Sequence, residues 1–243
     1  MHHPISVVVL PARDFEASRR FYNAAFGWRM RRLTESVAVS FVPTGPAVVL
    51  RRYDAGDESP TVPLLQVADV EQALADVLAR GGTRVADPYE VPLGGRIVRF
   101  ADPSGTVYGL TSNIPPGAVP QVPIPVGANP RPGDGTVCSI EMHASDLDAT
   151  AAFFANAFGW RAIPTLPHST AFDPGAGITG IWQSHTPSTR ALPYIYVASV
   201  EQALRDVEQA GGVRRGAPTV VPGMATFGYF TDPSGTPMGV MGG

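Results

Sequence analysis

Phe230-Thr231-Asp232-Pro233-Ser234-Gly235-Thr236-Pro237-Met238-Gly239 has an earlier twin, Phe100-Ala101-Asp102-Pro103-Ser104-Gly105-Thr106-Val107-Tyr108-Gly109. In both, an aromatic strand end runs into Asp-Pro-Ser-Gly. Proline presets φ there and glycine supplies positive φ, so the pattern predicts a β-hairpin between two closing strands. Outward from these stretches the repetition continues. Asp14-Phe15 with Ala25-Phe26-Gly27-Trp28 recurs 132 residues later as Asp146-Leu147 with Ala157-Phe158-Gly159-Trp160. Glu71-Gln72-Ala73-Leu74 recurs 130 residues later as Glu201-Gln202-Ala203-Leu204, at the same offset as the two turns. The chain is thus written twice, and the second copy is two residues shorter between its helices.

Each copy alternates strand and helix in the same order. Ile5–Leu10 is apolar and β-branched, hence a strand, after which Asp14 caps a helix with Phe15, Tyr22 and Phe26 on one face and Gly27 at its end. In the second copy Leu147, Ala151, Phe154 and Phe158 fall on one helical face between Asp146 and Gly159. Short strands follow, near 28–33, 37–42 and 47–53, and the pattern then restarts with a strand over 62–67. Asp69-x-x-Gln72 and Ser199-x-x-Gln202 open the second helix of each copy, and Gly81-Gly82 and Gly211-Gly212 stop it. Three strands finish each half. The expected fold is α+β: four βαβββ modules in two tandem domains, residues 1–113 and 135–243. A linker of polyproline character over 114–134 joins them, since 112–135 carries seven prolines and no periodicity.

Composition narrows the chemistry. With 243 residues, 44% of them hydrophobic, the chain can fill two cores of about 110 residues each. Net charge is −3 with no clustered basic face, so no nucleic-acid partner is expected. No apolar run approaches a membrane span and the N-terminus has no secretory core, so no membrane partner and a cytoplasmic location are expected. Cys138 is the single cysteine, which excludes intrachain disulfides, cysteine-rich zinc sites and Cys-x-x-Cys redox pairs. Lysine is absent, which removes Schiff-base and P-loop lysine chemistry.

The doubled βαβββ module, with Phe-Tyr-x-x-x-Phe-Gly-Trp closing the first helix and Asp-Pro-Ser-Gly before the last strand, resembles the vicinal oxygen chelate superfamily. That superfamily takes in glyoxalase I, bleomycin-resistance proteins and extradiol dioxygenases. Tandem halves on one chain look similar to glyoxalase-like proteins of actinobacterial type, related to a mycobacterial antigen. The resemblance implies curved sheets enclosing a cavity and a monomeric pseudo-dimer. In metal-dependent members it implies a first ligand seven positions before the helix-capping Asp, here Val7 and Ser139. A second at the start of the fifth strand falls near Val62 and Leu192, and a glutamate falls at Gly109 and Gly239. Neither half puts a carboxylate or imidazole at any of these positions, so no metal and no cofactor is expected by the family pattern.

Strand alternation puts Ser139, Glu141 and His143 on the cavity face, with Cys138, Ile140 and Met142 toward the helices. Val7, Val9 and Pro11 are their first-half equivalents. On the fifth strands Tyr194 and Tyr196 face inward in one half and Leu64 and Gln66 in the other. Glu141 and His143 are candidate catalytic residues, an acid/base pair beside two phenols. Glu141 is equally suited to pairing an arginine, and His143 to a strand exit. Ser139, Tyr194, Tyr196, Trp182, Gln66, Gly109 and Gly239 are candidate ligand-binding residues, Trp182 as a stacking wall. Arg51-Arg52 and Arg96/Arg99 read as solvated strand faces. Three functions compete. The first is metal-independent binding of a small hydrophobic, aromatic or polyketide-like ligand, for sequestration or to support a natural-product tailoring step. The second is a metal-free isomerase, cyclase or lyase using Glu141 and His143, and the third a divalent-metal lyase or dioxygenase with non-standard ligands.

Overall fold

The computed structural model describes residues 2–41, 45–53, 61–91, 95–112, 132–185 and 191–242; most of the proline-rich segment lies outside them. The first half contains β1 (Ile5–Ala12), α1 (Phe15–Phe26), β2 (Arg31–Arg32), β3 (Val37–Ser40), β4 (Ala47–Arg52), β5 (Val62–Gln66), α2 (Val70–Ala79), β6 (Thr83–Val91), β7 (Gly95–Ala101) and β8 (Val107–Thr111). The second contains β9 (Val137–His143), α3 (Leu147–Phe158), β10 (Arg161–Leu166), β11 (Ser169–Asp173), β12 (Thr179–Gln183), β13 (Leu192–Tyr196), α4 (Val200–Gln209), β14 (Val213–Arg214), β15 (Thr219–Val221), β16 (Ala225–Thr231) and β17 (Pro237–Gly242). The four helices start where the sequence predicts: Asp14, Asp69, Asp146 and Ser199 accept backbone N–H groups of their first turns. Gly27 and Gly159 close α1 and α3 in the left-handed region, both at φ 68°.

Each half forms its own sheet, so the two modules of a half pair with each other. The first runs β2-β3-β4-β1-β5-β8-β7-β6, and the second β10-β11-β12-β9-β13-β17-β16-β14 with β15 on β16. β1 lies parallel to β4 and antiparallel to β5, and β5 is parallel to β8, so the two modules meet at β1–β5. The long β6 has a broken counterpart, β14 and β15, interrupted around Gly216, which takes a positive φ of 86° where β6 has Ala86.

The helices of the two halves pack on each other between the sheets, α1 against α4 and α2 against α3. One continuous core results, drawing Phe21, Tyr22, Trp28 and Phe100 from the first half and Phe153, Phe154, Trp160 and Phe230 from the second. The far face of each sheet carries a separate, smaller apolar cluster.

The twin turns do more than reverse the chain: each docks onto the first helix of the opposite half. Ser234 Oγ accepts the N–H groups of Arg13 (2.9 Å) and Asp14 (3.3 Å) and lies 2.8 Å from Ser18 Oγ. Reciprocally, Ser104 Oγ accepts Ser145 N–H at 3.1 Å and meets Thr150 Oγ1 at 3.0 Å. Thr236 donates to Pro11 O and Thr106 to His143 O. The turn aspartates hold the turns from inside, Oδ1 of Asp102 accepting Thr106 N–H and Oδ1 of Asp232 accepting those of Ser234 and Thr236.

The two carboxylates then differ. Asp232 Oδ2 receives the Tyr22 hydroxyl at 3.1 Å and that of Ser18 at 3.3 Å, across the interface. Phe154 stands at the place equivalent to Tyr22, and the phenol near Asp102 is Tyr108 of its own half. Burial pushes the Asp102 carboxyl up to about 7, opposed by the backbone N–H groups of Thr106, Ser104 and Gly105 and by the nearby Tyr108 hydroxyl. That hydroxyl does not close a bond of ordinary geometry: among the described residues neither Asp102 Oδ2 nor Tyr108 Oη has a hydrogen-bond partner.

Two outcomes follow for stability. Tyr22→Phe removes a buried hydrogen bond to a carboxyl and is expected to cost about 1.5–3 kcal/mol in urea unfolding. An unfolded aspartate titrates near 3.9, so between about pH 4 and pH 7 the native state holds a proton on Asp102 that the unfolded chain has lost. Stability therefore falls as pH rises through that window. Asp102→Asn cannot ionise and offers Tyr108 an N–H, so urea midpoints at pH 5 and pH 8 should show a flattened decline and a more stable variant at pH 8.

Candidate functional site

The far face of the first sheet is a cup. Its cavity, about 350 Å³, is walled by Val7 and Val9 of β1, Val37 and Val39 of β3, Ala47, Val49 and Arg51 of β4, Leu64 of β5 and Ile97 of β7. Leu33 and Phe41, flanking β2 and β3, close one side, and Tyr89 and Glu90 of β6 the other. Strands near both ends of the sheet reach one space, so the sheet must curl around it. The walls are apolar because these residues alternate with the ones sent to the helices, where Val8, Leu10, Val48 and Leu50 are fully buried. A smaller recess adjoins the cavity, sharing Val9, Arg51, Leu64 and Tyr89 with it and adding Pro11, Val62 and Arg99.

The equivalent face of the second half is built differently. Glu141 of β9 stands where β1 has Val9, and its Oε2 accepts the Tyr194 hydroxyl at 2.8 Å. Tyr229 Oη lies 3.3 Å from Tyr194 Oη, extending the chain of polar groups. Burial, with the Glu141 and Tyr229 charges next, pushes the Tyr194 phenol well above its ordinary range, so it remains protonated and donating. Tyr194, Cys138 and Met241, backed by Tyr196 and Phe227, form the apolar cluster here.

The structure brings together part of the set predicted from sequence. Glu141 and Tyr194 meet; the second phenol beside them is Tyr229, which strand alternation on β13 could not show because it sits two strands away on β16. Ser139 is buried on β9 in register with Tyr194. No hydrogen bond joins Glu141 to His143, whose buried Nδ1 has no partner among the described residues and whose carbonyl accepts Thr106 at the interface between halves. Tyr196 packs against the cluster of Cys138, Tyr194 and Met241. Gln66 is half-buried at the β5 end, where its carbonyl pairs with His3 Nδ1 at 3.1 Å, and it does not wall the cup. Trp182 corrects the expectation of a stacking wall: it is 0% exposed and lies on the helix side among Phe154, Trp160 and Phe172. Cys138 is also corrected. A bulge between Tyr194 and Ile195, opposite Ser139 and Val137, turns Cys138 away from the helices, and burial pushes its thiol up to about 12.

Gly109 and Gly239, candidate ligand-binding residues by sequence, leave no open space beside them. A Cβ at Gly109 would overlap the Leu64 side chain, and one at Gly239 the Tyr194 ring, so the fifth strand of each half fills the space. Register also corrects the alignment of the second ligand position: Val7 pairs with Leu64, and Val62 pairs with Val9. The row across four central strands is therefore Ala47–Val7–Leu64–Gly109 in the first half and Thr179–Ser139–Tyr194–Gly239 in the second. Its donors are two hydroxyls and a phenol held by Glu141, which do not fit a divalent transition metal. Among the described residues no three His, Cys, Asp or Glu side chains converge elsewhere.

Residues 7–111 match the model of a glyoxalase-like domain, and residues 138–238 that of the glyoxalase/bleomycin resistance protein/dioxygenase superfamily. No curated protein matches the chain by sequence. Among solved structures, the 2,3-dioxygenase LapB from Pseudomonas sp. KL28 is 14% identical with a TM-score of 0.71, covering 100% of this chain and 92% of its own. The Mn(II)-bound glyoxalase from Novosphingobium aromaticivorans is 18% identical with a TM-score of 0.70, covering 100% and 83%. A variant of homoprotocatechuate 2,3-dioxygenase from B. fuscum is 13% identical with a TM-score of 0.67, covering 99% and 71%. At such identities the likeness is one of fold, and it extends over both halves and their arrangement. The chain consists of two glyoxalase-like domains in tandem and belongs to the glyoxalase/bleomycin resistance protein/dioxygenase superfamily.

Proposed function

We propose that the protein binds a small, largely apolar molecule in the cup of its first half, and that the second half serves chiefly to complete the core behind it. The observation that carries this reading is the 350 Å³ cavity itself, walled by valine, leucine, isoleucine and phenylalanine with few polar groups. Cavities of this size and lining suit compact hydrophobic or aromatic ligands. In the second half Tyr194 covers Gly239 and is tied to Glu141, so the corresponding polar groups satisfy each other. Sequestration of an aromatic or polyketide-like compound, or its presentation for a tailoring step, accords with such a site. Acid/base catalysis by a Glu141–His143 pair is less favoured, because the two groups are not hydrogen-bonded and His143 stands at the interface between halves.

N-phenyl-1-naphthylamine, a neutral fluorophore that brightens in apolar surroundings, tests the reading. It is expected to bind the native protein with about 1:1 stoichiometry and to raise its melting temperature. Val49→Trp places an indole in the cup, and Tyr194→Trp enlarges the ring on the second face. The first should weaken the probe at least about tenfold and the second leave it within about twofold. The reverse pattern, or no binding by the native protein, would sink the proposal.

A further inference from the structure

The cup is not uniformly apolar, and its charges are unbalanced. Arg99 reaches the recess from β7 with its Nε buried and, among the described residues, without a hydrogen-bond partner. Arg51 reaches the same recess from β4, its guanidinium 6.0 Å from the Tyr89 ring centroid, an arrangement that holds the cation in place. Neither arginine forms an ion pair among the described residues, whereas Arg96, three residues before Arg99, faces away and pairs with Glu71 at 3.0 Å. The one acidic residue walling the cavity, Glu90, is exposed on β6. These positions correct the reading of Arg51 and Arg99 as solvated strand faces.

Comparison of the halves sharpens the point. Arg51 pairs in register with Pro11 as Gln183 does with His143, and Arg99 with Gly109 as Tyr229 does with Gly239. In the second half Tyr194 of β13 is answered from β9 by the chain's own carboxylate, Glu141, and Tyr229 of β16 lies within hydrogen-bond distance of the Tyr194 hydroxyl. In the first half the matching β1 residue is Val9, and among the described residues Arg99 Nε is left without an acceptor. A buried guanidinium N–H with no acceptor is costly, and a planar carboxylate is the group that matches guanidinium geometry.

We infer that the ligand of the cup is an apolar carboxylic acid, its hydrocarbon or aromatic body in the cavity and its carboxylate at Arg99 and Arg51. This rests on the cup being the binding site. The probes are 2-naphthoate and its uncharged counterpart 2-naphthylmethanol, each measured by displacement of N-phenyl-1-naphthylamine. In the native protein the acid should bind about tenfold or more tightly than the alcohol. Arg99→Gln and Arg51→Gln should each remove most of that preference, leaving the alcohol within about twofold, and Arg96→Gln should change neither. Equal affinity of the native protein for acid and alcohol, or a preference that survives in the Arg51→Gln/Arg99→Gln double variant, overturns the carboxylate assignment alone. Should neither compound displace the fluorophore, or the fluorophore itself fail to bind, the cup reading and this one fall together.

Discussion

Docking of each Asp-Pro-Ser-Gly turn against the start of the opposite half's first helix is the constraint on which the rest of the molecule depends. Ser234 takes two N–H groups that the entry to α1 leaves free, and Ser104 takes the equivalent one before α3. Because both turns belong to the last hairpin of a sheet, this contact fixes the sheets as well as the helices. The helices are then sandwiched, and the far faces of the sheets are turned outward. One of those faces is the cup.

The two outward faces began from the same pattern and have been spent differently. On the first, short β-branched side chains leave a cavity and two arginines stand at its recess. On the second, a glutamate, two tyrosines and a phenylalanine fill the corresponding volume and satisfy each other. A single substitution does not account for the change: Val9 against Glu141, Leu64 against Tyr194 and Arg99 against Tyr229 act together, as coupled neighbours do. The same asymmetry reaches the interface, where Asp232 is bonded by a tyrosine from across the core while Asp102 keeps only the amides of its own turn on one oxygen.

Much of the fold was legible because its signals are local. Helix caps at Asp14, Asp69, Asp146 and Ser199, the left-handed glycines that end α1 and α3, and the doubled turns are each set by a few adjacent residues. The pairing of modules within a half was not legible, since the same alternation of strands serves either pairing. The interface role of Ser104 and Ser234 was equally hidden, because a serine in a turn looks the same whether it faces water or another helix. Site residues fared by distance: Glu141 and Tyr194 were found from alternation, while Tyr229, Arg51 and Arg99 needed the register between strands. Trp182 and Cys138 were misplaced for two physical reasons. Trp182 pairs in register with Met142 and so shares its helix-side face, which only the pairing of β12 with β9 shows, and a bulge reverses the face on which Cys138 falls.

The location of the indoles has a spectroscopic consequence. Trp28 stacks on Tyr22, and Trp160 and Trp182 stack with Phe172, all behind the sheets and each no more than 2% exposed. None lines the cavity. Intrinsic emission from this protein therefore reports the integrity of the aromatic layer between the sheets. It is largely blind to what enters the cup, so a blue, unquenched spectrum is compatible with either an empty or a filled site.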